Sequence, residues 1–551
     1  MMSHSWREGN SAVPDTSVVL PPSIMPVIIL NGSEYQMGYQ YGQQLASAII
    51  WQKDAVWAQS LKEFGNREAI IRELKASMHY TKESNPSALD GLKGMADGAT
   101  ATGYELSFID CLLINAKPQK PTTTAAYPSA AEDEKFSSDG CSSWSSWGKT
   151  TKEGKLICAK SSDSEFGAQV TIIAFPEEGN SYLATAQVGE LADTPCMNNR
   201  GLFIASSGGF AKRPIDFDYG TSTTCGYQHL LRFADNASQA KEMFLRWKYP
   251  RCTNIQFSDI NGDAYVVEIT AALSSIRKSG DFGERDFIYS TNNYFNDEMK
   301  ESIYGIEFIE HGGWLGSGWS ISSISRNLQL WNMLHNYSGQ VDLEFAKMIW
   351  RFPGNPPPVM IDEKAYSNTH GAGWDQKIGN QFNRRVAIML PDRGNNGVAY
   401  ICTGSAGRVV YPIHPGGHCF PIAPTHSFYR ITLAASPEEI IEAAKQEAHA
   451  CIASAHRQLM NITFLDAGYA ILNRLFTVAN TEFYEGVHFA HQAFLASGNE
   501  ALKYSSQAAT AFARAQAHAK QLQHVFVPPA NAPEHLGLKP YGGSWASWAV
   551  R

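Results

Sequence analysis

No run of the roughly 18 apolar residues needed to cross a bilayer as a helix occurs in this sequence of 551 residues, and no membrane span is expected. The opening MMSHSWREGNSAVPDTS has no apolar core of the kind a secretory leader carries, so the expected location is cytoplasmic. The four N-x-S/T sequons, at Asn31, Asn236, Asn336 and Asn461, are of a kind that arises by chance and do not argue for secretion. Neither sign of charge dominates. The 45 Lys and Arg stand against 53 Asp and Glu, a formal net charge of −8 without blocks of like charge, and the basic footprint of a nucleic-acid binder is missing. The nine cysteines, at 111, 141, 158, 196, 225, 252, 402, 419 and 451, are odd in number and form no CxxC pair, which argues against a disulfide framework and a zinc ribbon alike. Hydrophobic content of 44% and charged content of 18% describe an ordinary folded protein. Length alone leaves room for three or four domains around a large core.

What the chain does have is Gly140-Cys141, set in SSDGCSSWSSWGKTTKEGKLICAKSSD after a loose segment and before a strand-like run. Cut between the two residues, Cys141 would carry a thiol and a free α-amine. That is the minimal equipment of a self-activated nucleophile, with the amine as base for its own side chain. An α-amine titrates near ~7.7–8.0 and a thiol near ~8.5, close enough for proton exchange at neutral pH. Taken alone, Cys141 reads as a small buried apolar residue sooner than as a nucleophile. Its neighbours along the chain decide the matter.

Residues 1–25 are polar and contain Pro, and read as an arm. Ser33 with Gln36 three residues on is a capping box and opens a helix over about 34–63. Within it, Gly38 and Gly42 lie four apart and let another element come close. Further helices are expected over 67–82, through LDGLKGMADGATATG with Leu92, Met95, Ala96 and Ala99 on one side, and over 106–115. The segment KPQKPTTTAAYPSAAEDEKFSSD, 117–139, lacks apolar periodicity and reads as an exposed linker. Strands follow at 156–160, 170–175, 182–188 and 201–207, then a single helix over 226–246. A hairpin turns on Asn261-Gly262; its Asp259, Asn261 and Asp263 lack the spacing and terminal Glu of a calcium loop. A strand at 287–291, a helix at 323–335 and strands near 385–390 and 397–403 complete this part. Ser436-Pro437-Glu438-Glu439 is a strong helix start. It opens an Ala-rich extension of three helices to about 526, fit to cover the core, lid a site or make an oligomer contact.

Six segments in order carry a resemblance: YQMGYQYGQQL (35–45), LKGMADGA (92–99), Gly140-Cys141, NNRGL (198–202), STNNYF (290–295) and SISRN (323–327). Over roughly residues 30–405 the chain resembles the acyl-coenzyme A:6-aminopenicillanic acid acyltransferase family, the C45 peptidases. These are autoproteolytic relatives of the choloylglycine hydrolases and penicillin V acylases in the N-terminal-nucleophile hydrolase superfamily. The resemblance implies an α+β fold, a four-layer αββα sandwich with a C-terminal helical extension. It divides the chain into 1–140, cut away as a small chain, a catalytic portion 141–430 and the extension 431–551. It makes Cys141 the nucleophile freed by cleavage after Gly140. Asp163 becomes the carboxylate beside the nucleophile's amine, Asn292 the oxyanion donor, and Arg326 the arginine that pins the Asp or a substrate carboxylate. Asn198 lies near the nucleophile or is a hairpin residue. Lys160 stands where the family has Arg, keeping the charge and losing the planar fork. Read without the family, Asp163 is a turn residue, Asn292 a strand-end residue and Arg326 a surface arginine on a helix.

The expected activity is hydrolysis of a linear amide bond in a small N-acyl compound through a thioester acyl-enzyme. The first alternative is acyl transfer from a thioester such as acyl-CoA to an amine. The second, of another class, is an inactive binding protein on the same scaffold. No metal or redox cofactor is expected, with acyl-CoA a co-substrate under the first alternative. His414, His418 and Cys419 in HPGGHC are separated by Pro-Gly-Gly, which forbids a helical ligand pair. Trp144, His311 and Trp314 are candidate pocket walls, with packing as the rival role. The expected partners are a small amide or acyl substrate and no nucleic acid. The cut chains are expected to stay together, and the C-terminal helices to offer a homo-oligomer contact.

Overall fold

The structure, a computed structural model, describes residues 24–118, 140–163, 168–209, 214–304, 318–351, 383–394, 396–404, 427–460 and 469–526. Fourteen described strands form two sheets. The first has the order β1 (Val27–Gly32), β4 (Gln169–Pro176), β5 (Tyr182–Gln187), β6 (Cys196–Asn198), β7 (Leu202–Gly208), β8 (Thr253–Asp259), β9 (Ala264–Ile269) and β10 (Ser274–Lys278). The second runs β11 (Phe287–Ser290), β2 (Ser142–Ser146), β3 (Ile157–Asp163), β12 (Asn383–Leu390), β13 (Gly397–Thr403) and β14 (Tyr429–Leu433). Among these pairs β1·β4 is parallel and the others are antiparallel.

Side chains alternate across a strand, and here both faces are apolar, so both need cover. In the first sheet Ile28, Leu30, Ile172 and Ala174 face helices, while Val27, Ile29 and Ile173 face the second sheet. In the second, Cys158, Met389 and Ile431 answer them, while Ile157, Ala159 and Val386 point outward. The first outer layer holds α1 (Glu34–Phe64), α2 (Arg67–Ser84), α3 (Pro86–Thr100), α4 (Phe108–Ala116), α5 (Thr223–Phe233) and α6 (Ala237–Leu245). After β11 comes α7 (Asp297–Tyr304); then α8 (Gly318–Asn336) and α9 (Leu343–Arg351) make the other outer layer with Leu330, Met333 and Trp350. The result is a four-layer αββα sandwich. Because β1 lies in the same sheet as β4–β10, the segment before Gly140 and the portion after it share one core.

Local signals formed the first helices as expected. Ser33 and Gln36 make the capping box of α1. A Cβ on Gly38 would stand 2.0 Å from the Gly91 carbonyl oxygen, so only glycine lets α1 and α3 cross at this distance. The expected single helix over 226–246 is two. Ala234 is extended, and the Asn236 side chain accepts from the Gln239 N–H to cap a new start at α6. The strands β1, β6, β10 and β14 are additional to the expected ones, and β2 is the strand-like run after Cys141. Of the linker, residues 119–139 lie outside the described residues. No helix among the described residues is long and apolar enough to cross a membrane.

The C-terminal helices α10 (Pro437–Met460), α11 (Tyr469–Leu495) and α12 (Gly498–Phe526) share their own core around Ala448, Ala455 and Phe512. In addition, α12 sends Ala509, Ala513 and Ala517 into the space between the sheets. An exposed sheet edge presents unpaired backbone groups, and α12 occupies the edges of both sheets. The Val27 N–H donates to Thr510 Oγ1 at 2.9 Å and the Ile29 N–H to Ser506 Oγ at 2.8 Å, while Thr510 Oγ1 donates to the Val27 carbonyl at 3.2 Å. On β14, the Arg430 N–H donates to Gln516 Oε1 at 2.8 Å. Of the three roles open from the sequence, covering the core is the one these contacts carry.

Candidate active site

Antiparallel pairing brings the starts and ends of distant segments to one end of the sandwich. Ser142 pairs with Ser161 and Ser143 with both Lys160 and Ser290, while Asn383 pairs with Asp163. Cys141, just before β2, therefore meets the end of β3, the start of β12 and the residues after β11. On α8, Ser323, Arg326 and Asn327 follow the i, i+3, i+4 spacing that puts side chains on one helical face, and all three are buried.

Arg326 ties the site together. Its Nη1 donates to the Cys141 carbonyl oxygen at 2.6 Å and to Ser142 Oγ at 2.8 Å, and its Nη2 donates to Asn292 Oδ1 at 2.8 Å. The Asn292 amide is thereby oriented, with Nδ2 donating to the Gly208 carbonyl at 2.9 Å and the backbone N–H donating to Ser323 Oγ at 3.0 Å. Ser323, Thr291 and Asn327 all donate to Asn293 Oδ1, fixing the turn that presents Asn292. Asp163 is buried and accepts from Asn383 Nδ2 at 2.6 Å. Gly140 is seated against the same groups: a Cβ there would lie 3.1 Å from Arg326 Nη2 and 3.6 Å from Asp163 Oδ2. Gly140, Cys141, Asp163, Asn292 and Arg326 are thus brought together.

Alternation along β2 sorts the rest. Ser143 and Ser145 face the other sheet, where Ser143 Oγ donates to Gln256 Oε1 at 3.1 Å and Gln256 Nε2 donates to Ser145 Oγ at 2.6 Å. Cys141, two residues before Ser143, lies on that face and is half-buried. The other described cysteines are buried, and burial pushes the Cys225 and Cys451 thiols up to about 11. Trp144 falls on the opposite face, fully buried against Leu330, Met333 and Trp350. It is a core residue of the outer layer and not a wall of the space beside Cys141. His311 and Trp314, like His414, His418 and Cys419, lie outside the described residues. Among the described residues no group of three His, Cys, Asp or Glu could hold a metal ion.

Asn198 stands apart from the cluster. It precedes β7 at Leu202, whereas Asn292 meets the far end of β7 at Gly208, roughly 20 Å of strand away. Its Nδ2 donates to the Leu231 and Ala234 carbonyls, both at 2.8 Å, and its Oδ1 accepts from the Arg200 and Leu202 N–H groups. Of its two readings, the hairpin residue is the one observed.

Lys160 faces the inter-sheet space and is 3% exposed. Its Nζ donates to Thr194 Oγ1 at 2.8 Å, to the Thr194 carbonyl at 3.0 Å and to Ser162 Oγ at 3.0 Å. Burial pushes this ammonium below its ordinary value, and charge at Cys141 is the largest influence opposing that. Beside it lies a group the sequence reading missed. Arg385 donates through Nη2 to Asp193 Oδ2 at 2.6 Å and to the Thr194 carbonyl at 2.9 Å, and through Nη1 to Gln169 Oε1. The available signal was an arginine inside the apolar strand run RVAIML, 225 positions along the chain from Lys160.

No protein-family model matches the chain. It is similar to an uncharacterized protein of Archaeoglobus fulgidus, 24% identical over 228 residues, which cover 39% of this chain and 38% of that protein. Among solved structures it is similar to penicillin V acylase from Agrobacterium tumefaciens, with 11% identity over 48% of this chain and 83% of that one and a TM-score of 0.28. It is also similar to a mutant of conjugated bile acid hydrolase from Clostridium perfringens, with 13% identity, 48% and 89% coverage and a TM-score of 0.29. The N-acylethanolamine-hydrolyzing acid amidase ortholog of Caenorhabditis elegans gives 12% identity, 46% and 93% coverage and a TM-score of 0.28.

Proposed function

We propose that this chain is an N-terminal-cysteine amidohydrolase that cuts itself between Gly140 and Cys141 and then hydrolyses the amide bond of a small N-acyl compound. The observation that supports this most is the seat of Gly140, against Arg326 Nη2 and Asp163 Oδ2, next to a half-buried thiol. In the uncut chain the Cys141 sulfur attacks the Gly140 carbonyl carbon. The C–N bond breaks, the thiol proton ends on the freed Cys141 nitrogen, and a thioester forms. Water hydrolyses the thioester, leaving a Gly140 carboxylate and regenerating the thiol.

In the mature protein the same sulfur attacks a substrate amide carbon. Asn292 donates to the oxyanion, a contribution typically worth ~100–1000-fold in rate. Arg326 and Ser323 hold that amide in place, and Asp163 holds the α-ammonium. The ammonium protonates the leaving amine, and water then releases the acyl group as a carboxylate. The two chains stay together. Support for this comes from β1 pairing in parallel with β4 and from two ion pairs spanning the cut. Glu34 meets Arg232 Nη1 at 2.9 Å, and Lys117 meets buried Glu190. The test is rapid quench with chromogenic N-acyl anilides of varied acyl length. An acyl group carried as a thioester on the peptide beginning at Cys141, and absent in Cys141→Ala, is expected. Turnover without acylation of Cys141 would overturn the reading.

A further inference from the structure

Five charged side chains, Lys117, Glu190, Asp193, Arg385 and Lys160, act on one another near Cys141, and their pairing is unequal. Glu190 is engaged by Lys117, and its Oε2 accepts from the Gln187 N–H at 2.8 Å. Asp193 is engaged by Arg385 at 2.6 Å. Lys160, buried like Glu190 and more so than Asp193, is bonded only to neutral oxygens, those of Thr194 and Ser162. Asp193 favours the Lys160 ammonium from a distance, less than charge at Cys141 does, but a buried ammonium with no bonded counter-charge is costly, and in proteins such a group is normally paired. One group lies on the same face of the neighbouring strand and can supply that charge. Cys141 is two residues before Ser143, the direct partner of Lys160, which makes it a diagonal neighbour in the sheet.

We infer that Arg385 is a positioning residue: by holding Asp193 it keeps that carboxylate from bonding to Lys160 and leaves the Lys160 ammonium as the counter-charge of a Cys141 thiolate. The two cations share the Thr194 carbonyl as acceptor, so Asp193 is close enough to pair with Lys160 if Arg385 were removed. Cys141 is faced by Lys160 from β3 and by Asp163 and Arg326 around Gly140; Asp193 and Arg385 act on Lys160 behind it, as does Cys196, whose side chain lies on the helix-facing side of β6. Asp163 and Arg326 are of opposite sign, and deep burial keeps the Cys196 thiol neutral. The nucleophile then enters the reaction already ionised, and its amine is left to serve the leaving group. This rests on the proposed function only in naming Cys141 the nucleophile.

The experiment is the rate of iodoacetamide alkylation of Cys141 against pH in the full-length protein, read on the Cys141 peptide. It works on cut and uncut chains alike, so a shifted profile in a protein that hydrolyses nothing would sink the function and leave this inference standing. Wild type is expected to show a midpoint at least about one pH unit below the ordinary ~8.5. Lys160→Met should raise it by about one to three units, and Lys160→Arg should restore it. Arg385→Met should also raise it, because Asp193 now claims Lys160. The charge-neutral pair Arg385→Met with Asp193→Asn should bring it back towards wild type, which a merely structural role for Arg385 would not do. A wild-type midpoint at or above ~8.5 overturns the inference without any variant. So does a double variant that stays as high as Arg385→Met.

Discussion

Two asparagines at opposite ends of the sandwich show how position decides what a side chain does. Asn198 spends its amide on backbone, donating to Leu231 and Ala234 and accepting from Arg200 and Leu202. It closes the β6–β7 turn and ties it to the end of α5. Asn292 has a guanidinium on its oxygen and the last carbonyl of β7 on its nitrogen, beside Cys141. At the Asn198 end, polar groups satisfy turns: Asp259 accepts from the Asn261 and Ala237 N–H groups, both at 2.7 Å. At the Asn292 end they bond to one another and to the Gly140-Cys141 segment. One end holds the fold together, and the other gathers the groups proposed to react.

That contrast breaks most sharply on the two asparagines themselves. Asn292→Ala is expected to lower kcat ~100–1000-fold with little change in Tm. Asn198→Ala should leave turnover per folded molecule within a few-fold, yet cost about 1–3 kcal/mol, because four backbone groups lose their partner. Paired kinetics and thermal melts check both. Equal losses of kcat in the two variants would erase the distinction between the ends.

A titration sharpens it next. Glu34, at the Asn198 end against Arg232 and Gln228, has its carboxyl pushed up to about 6 from an ordinary 4.5, by burial above all, with Arg232 and the Gln228 hydrogen bond opposing. A raised carboxyl favours the folded state when protonated. Its contribution is therefore present in full below pH 4.5 and is lost as pH rises through 6, about 2 kcal/mol in all. Urea unfolding at pH 5 and pH 7 should show this slope in wild type and a flatter one in Glu34→Gln. An unchanged slope would remove Glu34 from the account.

A smaller effect belongs to the chemical end. Gly140→Ala places a methyl 3.1 Å from Arg326 Nη2, tighter than ordinary contact, and should slow self-cleavage about ten-fold, roughly 1.4 kcal/mol of barrier. Smallest of all, Thr510→Val keeps the shape of α12 and removes its bonds to Val27. About 1 kcal/mol of stability should go, with aggregation on heating from the opened β1 edge and unchanged kcat.

Local chemistry was readable from the chain and long-range pairing was not. The α1 capping box, the α1–α3 glycines and the Asn261-Gly262 hairpin all declare themselves within a few residues. Asp163, Asn292 and Arg326 were found through motifs, and the three do converge on Gly140-Cys141. The run VIIL in β1 is itself strand-like, but its parallel pairing with β4, 144 positions further on, has no local signal, and the polar SSWSS of β2 does not announce that it is buried on both faces. NNRGL is a turn by its composition, and nothing local says which end of the sheet it closes. The Lys160–Asp193–Arg385 group joins β3, a loop and β12, so only the folded register assembles it.

The claim on which all of this turns is that Gly140-Cys141 is a scissile bond, and intact-mass spectrometry of purified wild type beside Cys141→Ala tests it directly. The account expects two chains in wild type, residues 1–140 and 141–551, and one uncut chain in the variant. A folded wild-type protein that remains a single chain of 551 residues would contradict it.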